Sequence, residues 1–170
     1  MRAISANWFE IKVRYKKTME DGLEKDVTET YVVDAEGFAE AEANITEEMM
    51  PYFNGESTVK NISPASYHEV FFSDYENDDK WYKAKLQFIT IDEKTSKEKR
   101  TNQYFLVQAK TLQGAVKHIE DVQGAGMADY VIASVAETQI QDVYEHLKTA
   151  AKKLERNDKP EYEQAEEEKK

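Results

Sequence analysis

The sequence predicts an α+β fold made of two tandem β-β-α-β(β) repeats, related by a pseudo-twofold axis and followed by an acidic tail. Three pairs of segments, which keep the same order along the chain, predict this repeat. They are NWFEIKVRY with KWYKAKLQF (7–15 and 80–88), TYVVDAEGFAEAEANI with YFLVQAKTLQGAVKHI (30–45 and 104–119), and ISPASYHEVF with VAETQIQDVY (62–71 and 135–144). The partners are offset by 73, 74 and 73 residues, so the offset changes inside a polar loop, where insertions cost little. We therefore expect one domain over 1–150, with repeats at about 5–76 and 77–147.

The first strand of each repeat alternates strictly between apolar and polar residues, which is typical of a strand with one buried face. In the first repeat the predicted inward residues are Phe9, Ile11, Val13 and Tyr15, and the predicted outward residues are Trp8, Glu10, Lys12, Arg14 and Lys16. In the second repeat Tyr82, Leu86 and Phe88 are predicted to face inward, and Trp81, Lys83 and Lys85 outward.

A polar connection follows, marked by Asp21-Gly22 as a turn signal in the first repeat. Second strands are predicted at about 26–34 and 102–108. Helices are predicted at about 37–49 and 111–121, with Thr111 as the N-cap of the second helix and Gly37 at the same place in the first.

After each helix the sequence returns to strand. STVKNIS and SYHEVFF flank Pro64, which predicts an edge strand or a bulge. DYVIASVA is a clear strand. The segment 138–156 fits either one helix or a strand to about 145 followed by a helix over 146–156, and the repeat favours the second interpretation. Over 151–170 we expect the end of this helix and then a disordered acidic tail.

Composition excludes several kinds of chemistry. The 170 residues include no cysteine, so disulfides, thiolate nucleophiles and cysteine metal sites are excluded. Neither a signal peptide nor an apolar run of about 18 residues is present, so we expect a soluble cytoplasmic protein. The net charge of −11 disfavours nucleic acid on most of the surface, but residues 1–17 are locally basic.

Three of the segments quoted above resemble a known family. NWFEIKVRY, ETYVVDAEGFAEAEANI and NISPASYHEVF are similar to an uncharacterised domain-of-unknown-function family of small proteins from Bacteroides and their phages. The resemblance covers about 5–147. It implies a bacterial or phage cytoplasmic setting, and it supplies no activity and no functional residues.

The predicted outward faces carry the functional hypothesis. Aromatic rings beside cations on a sheet are typical of single-stranded nucleic-acid binding, in which rings stack on bases and cations follow phosphates. The predicted contact residues are Trp8, Lys12, Arg14, Trp81, Lys83, Lys85 and Tyr104. The alternative interpretation is that each tryptophan belongs to the core.

No enzyme signature is present, so we expect a non-enzymatic protein without cofactor or metal. His68, His118 and His146 lack metal-ligand spacing and are predicted to be structural or surface residues.

The acidic tail at 155–170 predicts a protein partner, whereas no membrane partner is expected. A second hypothesis is a decoy or sponge that captures a host protein or a small signalling nucleotide, through the acidic first helix or a cleft between the halves.

Overall fold

The computed structural model describes residues 1–53 and 55–146, which form nine strands, two α-helices and one short 3-10 helix. The strands are β1 (Arg2–Ile4), β2 (Trp8–Thr18), β3 (Glu24–Asp34), β4 (Ser57–Ala65), β5 (Tyr67–Phe72), β6 (Lys80–Ile91), β7 (Glu98–Ala109), β8 (Asp129–Glu137) and β9 (Ile140–Tyr144). The helices are α1 (Phe38–Met49) and α2 (Leu112–Gln123), and the 3-10 helix is Met50–Tyr52. The predicted α+β class is confirmed. The predicted helix from 146 onward and the acidic tail lie outside the described residues, apart from His146.

Two sheets organise the strands. One has four strands in the order β4-β2-β3-β9, and the other has five in the order β1-β5-β7-β6-β8. Most neighbours are antiparallel, but β9 runs parallel to β3 and β5 runs parallel to β7. Each of these parallel strands comes from the other half of the sequence. The final strand of each half therefore completes the sheet of the other half.

Each sheet contains one long hairpin, which is β2-β3 in the four-stranded sheet and β6-β7 in the five-stranded sheet. Gly22 has a φ of 80°, in the left-handed region, and its N–H donates to the Met19 carbonyl at 2.9 Å, which confirms the predicted turn. Pro64 lies on β4, an edge strand, as predicted, because an edge position needs no N–H on its outer side.

One helix covers the outer face of each sheet. α1 packs on the inward residues of β2, so Ile11, Val13 and Ile45 share one buried cluster. α2 packs likewise on the five-stranded sheet, with Leu86 and Ile119 in its cluster. The Thr111 hydroxyl accepts the Gly114 N–H at 3.1 Å, which confirms the predicted N-cap.

A third apolar cluster lies between the two sheets, on the faces opposite the helices. It contains Ile4, Trp8, Val32, Tyr67, Val70, Phe72, Trp81, Leu106, Ile140 and Val143. The layers are therefore helix, sheet, sheet, helix. The prediction that Trp8 and Trp81 face solvent is wrong, since they are 1% and 2% exposed. Each tryptophan lies within the first two residues of its strand, at the end that the second sheet covers, so both faces of the strand are buried there.

Among the described residues, no helix has the length and apolar character needed to cross a membrane.

Candidate nucleic-acid interface

The faces of the sheets that point away from the helices change character along their strands. On β2, Trp8 is buried between the sheets, whereas Lys12 and Arg14 on the same face are exposed. On β6, Trp81 is buried and Lys83 is exposed. The tryptophans of the predicted face belong to the core, whereas Lys12, Arg14 and Lys83 are exposed and Tyr104 is half-buried. The alternative interpretation of the tryptophans is confirmed.

Lys83 lies in the most organised part of this face. Its ammonium sits 5.1 Å from the centroid of the Tyr104 ring and 5.9 Å from that of the Tyr67 ring. Cations are attracted to the negative faces of aromatic rings, so these contacts fix the ammonium between two strands. Lys85 lies directly opposite Tyr104 in the β6-β7 register. Three predicted contact residues, Lys83, Lys85 and Tyr104, thus come together.

Glu10 approaches the same place from the other sheet. It hydrogen-bonds to the Tyr67 hydroxyl, and the pKa of Tyr67 is raised, first by burial and then by the Glu10 carboxylate. Tyr67 therefore keeps its proton at neutral pH and holds Glu10 by donating to it. We call Glu10, Tyr67, Lys83, Lys85 and Tyr104 the lysine–tyrosine surface.

A cavity of about 270 Å³ opens at the lysine–tyrosine surface. Lys83 and Tyr104 line one side, and Glu10 with the β4-β5 connection lines the other. The connection runs through Ser66 and carries the chain from one sheet to the other. The cavity therefore lies at the junction of the two sheets, where a base or a phosphate could contact both.

Lys12 and Arg14 extend the basic face along β2, on the four-stranded sheet. Arg14 donates to Asp26 at 3.0 Å, and both side chains are about half exposed. This pair is a surface ion pair of small energetic value, so a phosphate can compete for Arg14. Within residues 1–53 and 55–146, Lys12 and Lys16 have no carboxylate at ion-pair distance. Glu10 links this strand to the lysine–tyrosine surface.

His118 and His146 have different neighbours. His118 is buried and bonds through Nδ1 to the Gln108 carbonyl at 3.0 Å, and its Nε2 lies 3.7 Å from Asp78. His146 lies 3.4 Å from Glu47 and from Glu48. In the part of the chain that the structure describes, no cluster of three or more His, Asp or Glu residues could hold a metal ion.

Glu10 and Tyr67 are the two members of the surface that the sequence did not identify as contact residues. Glu10 shares a strand face with Lys12, so strand alternation placed it correctly without indicating a role. Tyr67 follows the β4-β5 connection, and only the crossing of the chain between sheets brings it to Lys83.

No curated protein and no solved structure matches the chain. One family does match, and it spans residues 7–146, which include both sheets apart from β1, together with the lysine–tyrosine surface. The chain belongs to the family described as a domain of unknown function, DUF4494.

Proposed function

We propose that the protein binds single-stranded nucleic acid without catalysis, through the lysine–tyrosine surface and the exposed cations of β2. One observation carries the proposal: Lys83 is held over the rings of Tyr67 and Tyr104, with Lys85 opposite Tyr104. A partly exposed ring can stack on a base, and the neighbouring ammonium groups can contact the adjoining phosphates. Trp8 and Trp81 take no part in the contact.

The distribution of charge supports this proposal. Although the net charge is −11, Lys12, Arg14, Lys83 and Lys85 all lie on the sheet faces opposite the helices. The acidic residues of α1, such as Glu42 and Glu47, lie on the other side of the four-stranded sheet. The side opposite the helices also carries Glu10 and Asp26, so a polyanion would be attracted locally, at these four cations, and repelled from the acidic face of α1.

The experiment that tests the proposal is a fluorescence-anisotropy titration of a labelled oligothymidylate at two salt concentrations. The tryptophans are buried, so their fluorescence is not a suitable signal. Tyr104→Leu keeps an apolar side chain but removes the ring, and we expect a loss of about 1–3 kcal/mol of binding free energy. Lys83→Gln and Lys85→Gln should each reduce the salt dependence by about 0.7 in the logarithmic slope.

Matched controls are available on the remote surface. Tyr75 is 71% exposed, and Lys117 is exposed on α2, so Tyr75→Leu and Lys117→Gln should leave the affinity unchanged. Equal affinity for Tyr104→Leu and the wild type would remove the stacking contact from the proposal. If the protein does not bind oligothymidylate at low salt, the proposal that it binds single-stranded nucleic acid is wrong.

A second candidate is a sponge for a small signalling nucleotide, and the cavity of about 270 Å³ beside Lys83 and Tyr104 favours it. A mononucleotide has one base and few phosphates, so it could bind there without the cations of β2. In the same titration, competition by a mononucleotide with no dependence on Lys12 would select this candidate. Affinity that grows with oligonucleotide length would select the first.

We infer that the two halves of the chain are copies of one unit, as the offsets in the sequence predict. The strand registers support the inference: Tyr31 lies opposite Asp142 in one sheet, and Phe105 lies opposite Glu69 in the other. Residues 31 and 105 are aligned by the second segment pair, and 69 and 142 by the third. The resemblance to phage and Bacteroides proteins is consistent with a role in a phage or mobile element, and the tail at 155–170 would then contact a protein partner.

A further inference from the structure

A second concave site lies on the four-stranded sheet, distinct from the lysine–tyrosine surface. It is a groove of about 480 Å³ beside the last turn of α1 and the 3-10 helix. Its lining residues are Tyr15, Lys17, Thr18, Glu29, Tyr31, Met49, Tyr52, Gln141, Asp142 and Tyr144. Four of these are tyrosines, and we call the site the tyrosine groove. A volume of this size and an aromatic lining with a few polar groups are typical of small-molecule sites.

Glu29 is the centre of hydrogen bonding in the tyrosine groove. Its Oε2 accepts the hydroxyls of Tyr15 and Tyr31, each at 2.6 Å, and its Oε1 accepts the Lys17 ammonium at 2.8 Å. Burial raises the pKa of Glu29, but the hydrogen bonds from Lys17, Tyr15 and Tyr31 outweigh burial, so the pKa is lowered overall. Glu29 therefore stays ionised, paired with Lys17 and held against two aromatic rings.

Three other side chains that line the groove are those of Tyr144, Tyr52 and Asp142. Among residues 1–53 and 55–146, the Tyr144 hydroxyl donates to the Met49 sulfur at 3.7 Å, and sulfur is a weak acceptor. The Tyr52 side chain stands at the groove with 65% of its surface exposed. Asp142 adds a second carboxyl group, whose pKa is raised, first by burial, and whose Oδ1 accepts the Val143 N–H at 2.8 Å. With Glu29 and Asp142 against Lys17, the lining carries more negative than positive charge.

The other sheet shows that the fold does not require these polar groups. Glu69, the counterpart of Asp142, is acidic, but four other positions that have the same register in the five-stranded sheet are neutral. They are Phe88, Gln103, Phe105 and Phe71, in place of Tyr15, Glu29, Tyr31 and Tyr144. The same architecture thus forms with phenyl rings and an amide. The hydroxyls and the Glu29 carboxylate distinguish the four-stranded sheet, which points to a ligand and not to folding.

We propose that the tyrosine groove binds an organic cation, namely an alkylated ammonium group. Tyrosine rings attract such cations through their negative faces, and Glu29 and Asp142 add charge complementarity. Lys17 is the groove's own cation, and its ammonium competes for Glu29. The cation could belong to a small molecule or to a lysine side chain of a partner, and the ammonium chemistry is common to both.

The first test is an NMR titration of the full chain with choline and with 3,3-dimethyl-1-butanol, in which carbon replaces the charged nitrogen. We expect choline to shift the resonances of the groove and the neutral isostere to bind about tenfold more weakly. Equal shifts by the two compounds would overturn the proposal, because charge would then contribute nothing.

Three variants locate the site. Tyr52→Ala removes an exposed ring and should weaken choline binding severalfold, and Glu29→Gln should weaken it by removing the charge. Lys17→Gln should strengthen it, since it removes a competing cation. Tyr75→Ala is the matched control, because Tyr75 is 71% exposed, close to the 65% of Tyr52, but does not line the groove. Binding that Tyr52→Ala and Lys17→Gln leave unchanged would place choline elsewhere and contradict the proposal.

A second arm distinguishes the source of the cation. A short peptide with trimethyl-lysine is compared with the same peptide carrying unmodified lysine and with choline. Tighter binding of the trimethyl-lysine peptide than of choline supports a protein partner, and equal binding supports a small molecule. Failure of both choline and the peptide to bind at millimolar concentration overturns the proposal, and the oligothymidylate titration remains independent of that result.

Discussion

Phe72 joins the two tryptophans at the centre of the molecule. Its ring centroid lies 5.5 Å from that of Trp81, with the planes at 83°, and 6.4 Å from that of Trp8. The contact with Trp81 is edge-on, an arrangement that suits aromatic rings because the positive edge of one meets the negative face of the other, and the contact with Trp8 is tilted at 47°. The three rings therefore connect β2 and β6, the two similar strands, through β5. Trp8 and Trp81 stabilise the packing of one sheet on the other.

Trp81→Ala is expected to destabilise the protein by about 3–5 kcal/mol, since it removes a buried ring and leaves a cavity between the sheets. Urea denaturation measures the effect through the midpoint and slope of the transition. Tyr75→Ala, at a ring that is 71% exposed, should change stability by less than about 0.5 kcal/mol. A loss near zero for Trp81→Ala would contradict the burial of this side chain.

Alkaline pH provides a second test at the scale of residues. The pKa values of Tyr15, Tyr31, Tyr67 and Tyr144 are raised above their usual 10.0, in each case first by burial. The unfolded chain loses these protons at a lower pH than the folded chain does. Their contribution to stability is therefore complete below pH 10 and is lost as the pH rises through the folded pKa values.

We expect the urea midpoint to fall steeply above about pH 10 and to fall less steeply in Tyr31→Phe. Phenolate absorbance should show that some of the ten tyrosines ionise only when the protein unfolds. Ionisation of all ten near pH 10 in the folded protein would contradict this expectation.

Strand alternation predicted the buried side of β2 correctly, as Ile11 and Val13 under α1 demonstrate. It could not predict which part of the opposite side is covered. Trp8 and Lys12 share that side, and they differ only because the second sheet reaches one and not the other. Tertiary packing of this kind leaves no period in the sequence. The same limit explains why Tyr67 was not identified as a neighbour of Lys83.

The bounds of the helices and strands were predicted closely from local sequence signals. Helix periodicity and the Thr111 N-cap predicted α2 within two residues at its C-terminal end. The segment around Ile140 was harder, because Ile140 and Val143 are three residues apart, as on a helix. The structure explains this spacing: β9 has a register shift between the residues that face Thr30 and Tyr31, and the irregularity places both apolar side chains on the buried side.

The two helix N-termini provide a matched pair for a stability test. Thr111→Ala removes an N-cap hydrogen bond and should cost about 1 kcal/mol. Gly37 occupies the N-cap of α1 in an extended conformation, and a Cβ there would meet nothing within 4 Å. Gly37→Ser should therefore stabilise the protein by a few tenths of a kcal/mol.

Thermal unfolding monitored by circular dichroism measures both changes. A Gly37→Ser variant less stable than the wild type would indicate that the glycine serves another purpose.

At the scale of the whole molecule, the two sheets are tied together by their shared strands. β5 lies in the sheet of β6–β8, and β9 lies in the sheet of β2–β4. Neither half can complete its own sheet. Without its partner, each half would also expose one side of the apolar cluster that contains Trp8 and Trp81.

Fragments 1–76 and 77–170 should therefore remain largely unfolded when expressed separately and should fold together when mixed. The expected signal is a set of dispersed NMR resonances that appears only in the mixture. A fragment that folds alone as a monomer would contradict the expectation that each half needs a strand from the other to complete its sheet.

Because each half supplies a strand to the sheet of the other half, the four-stranded sheet cannot be completed until late in translation. β3 leaves the ribosome early, but β9, which covers its edge, follows only when Tyr144 has been added. Synthesis proceeds at about 5–20 residues per second, so this edge waits for several seconds. An unpaired strand edge is a template for pairing with other chains. The yield of folded protein in a cell therefore depends on how quickly translation delivers the second half to the first.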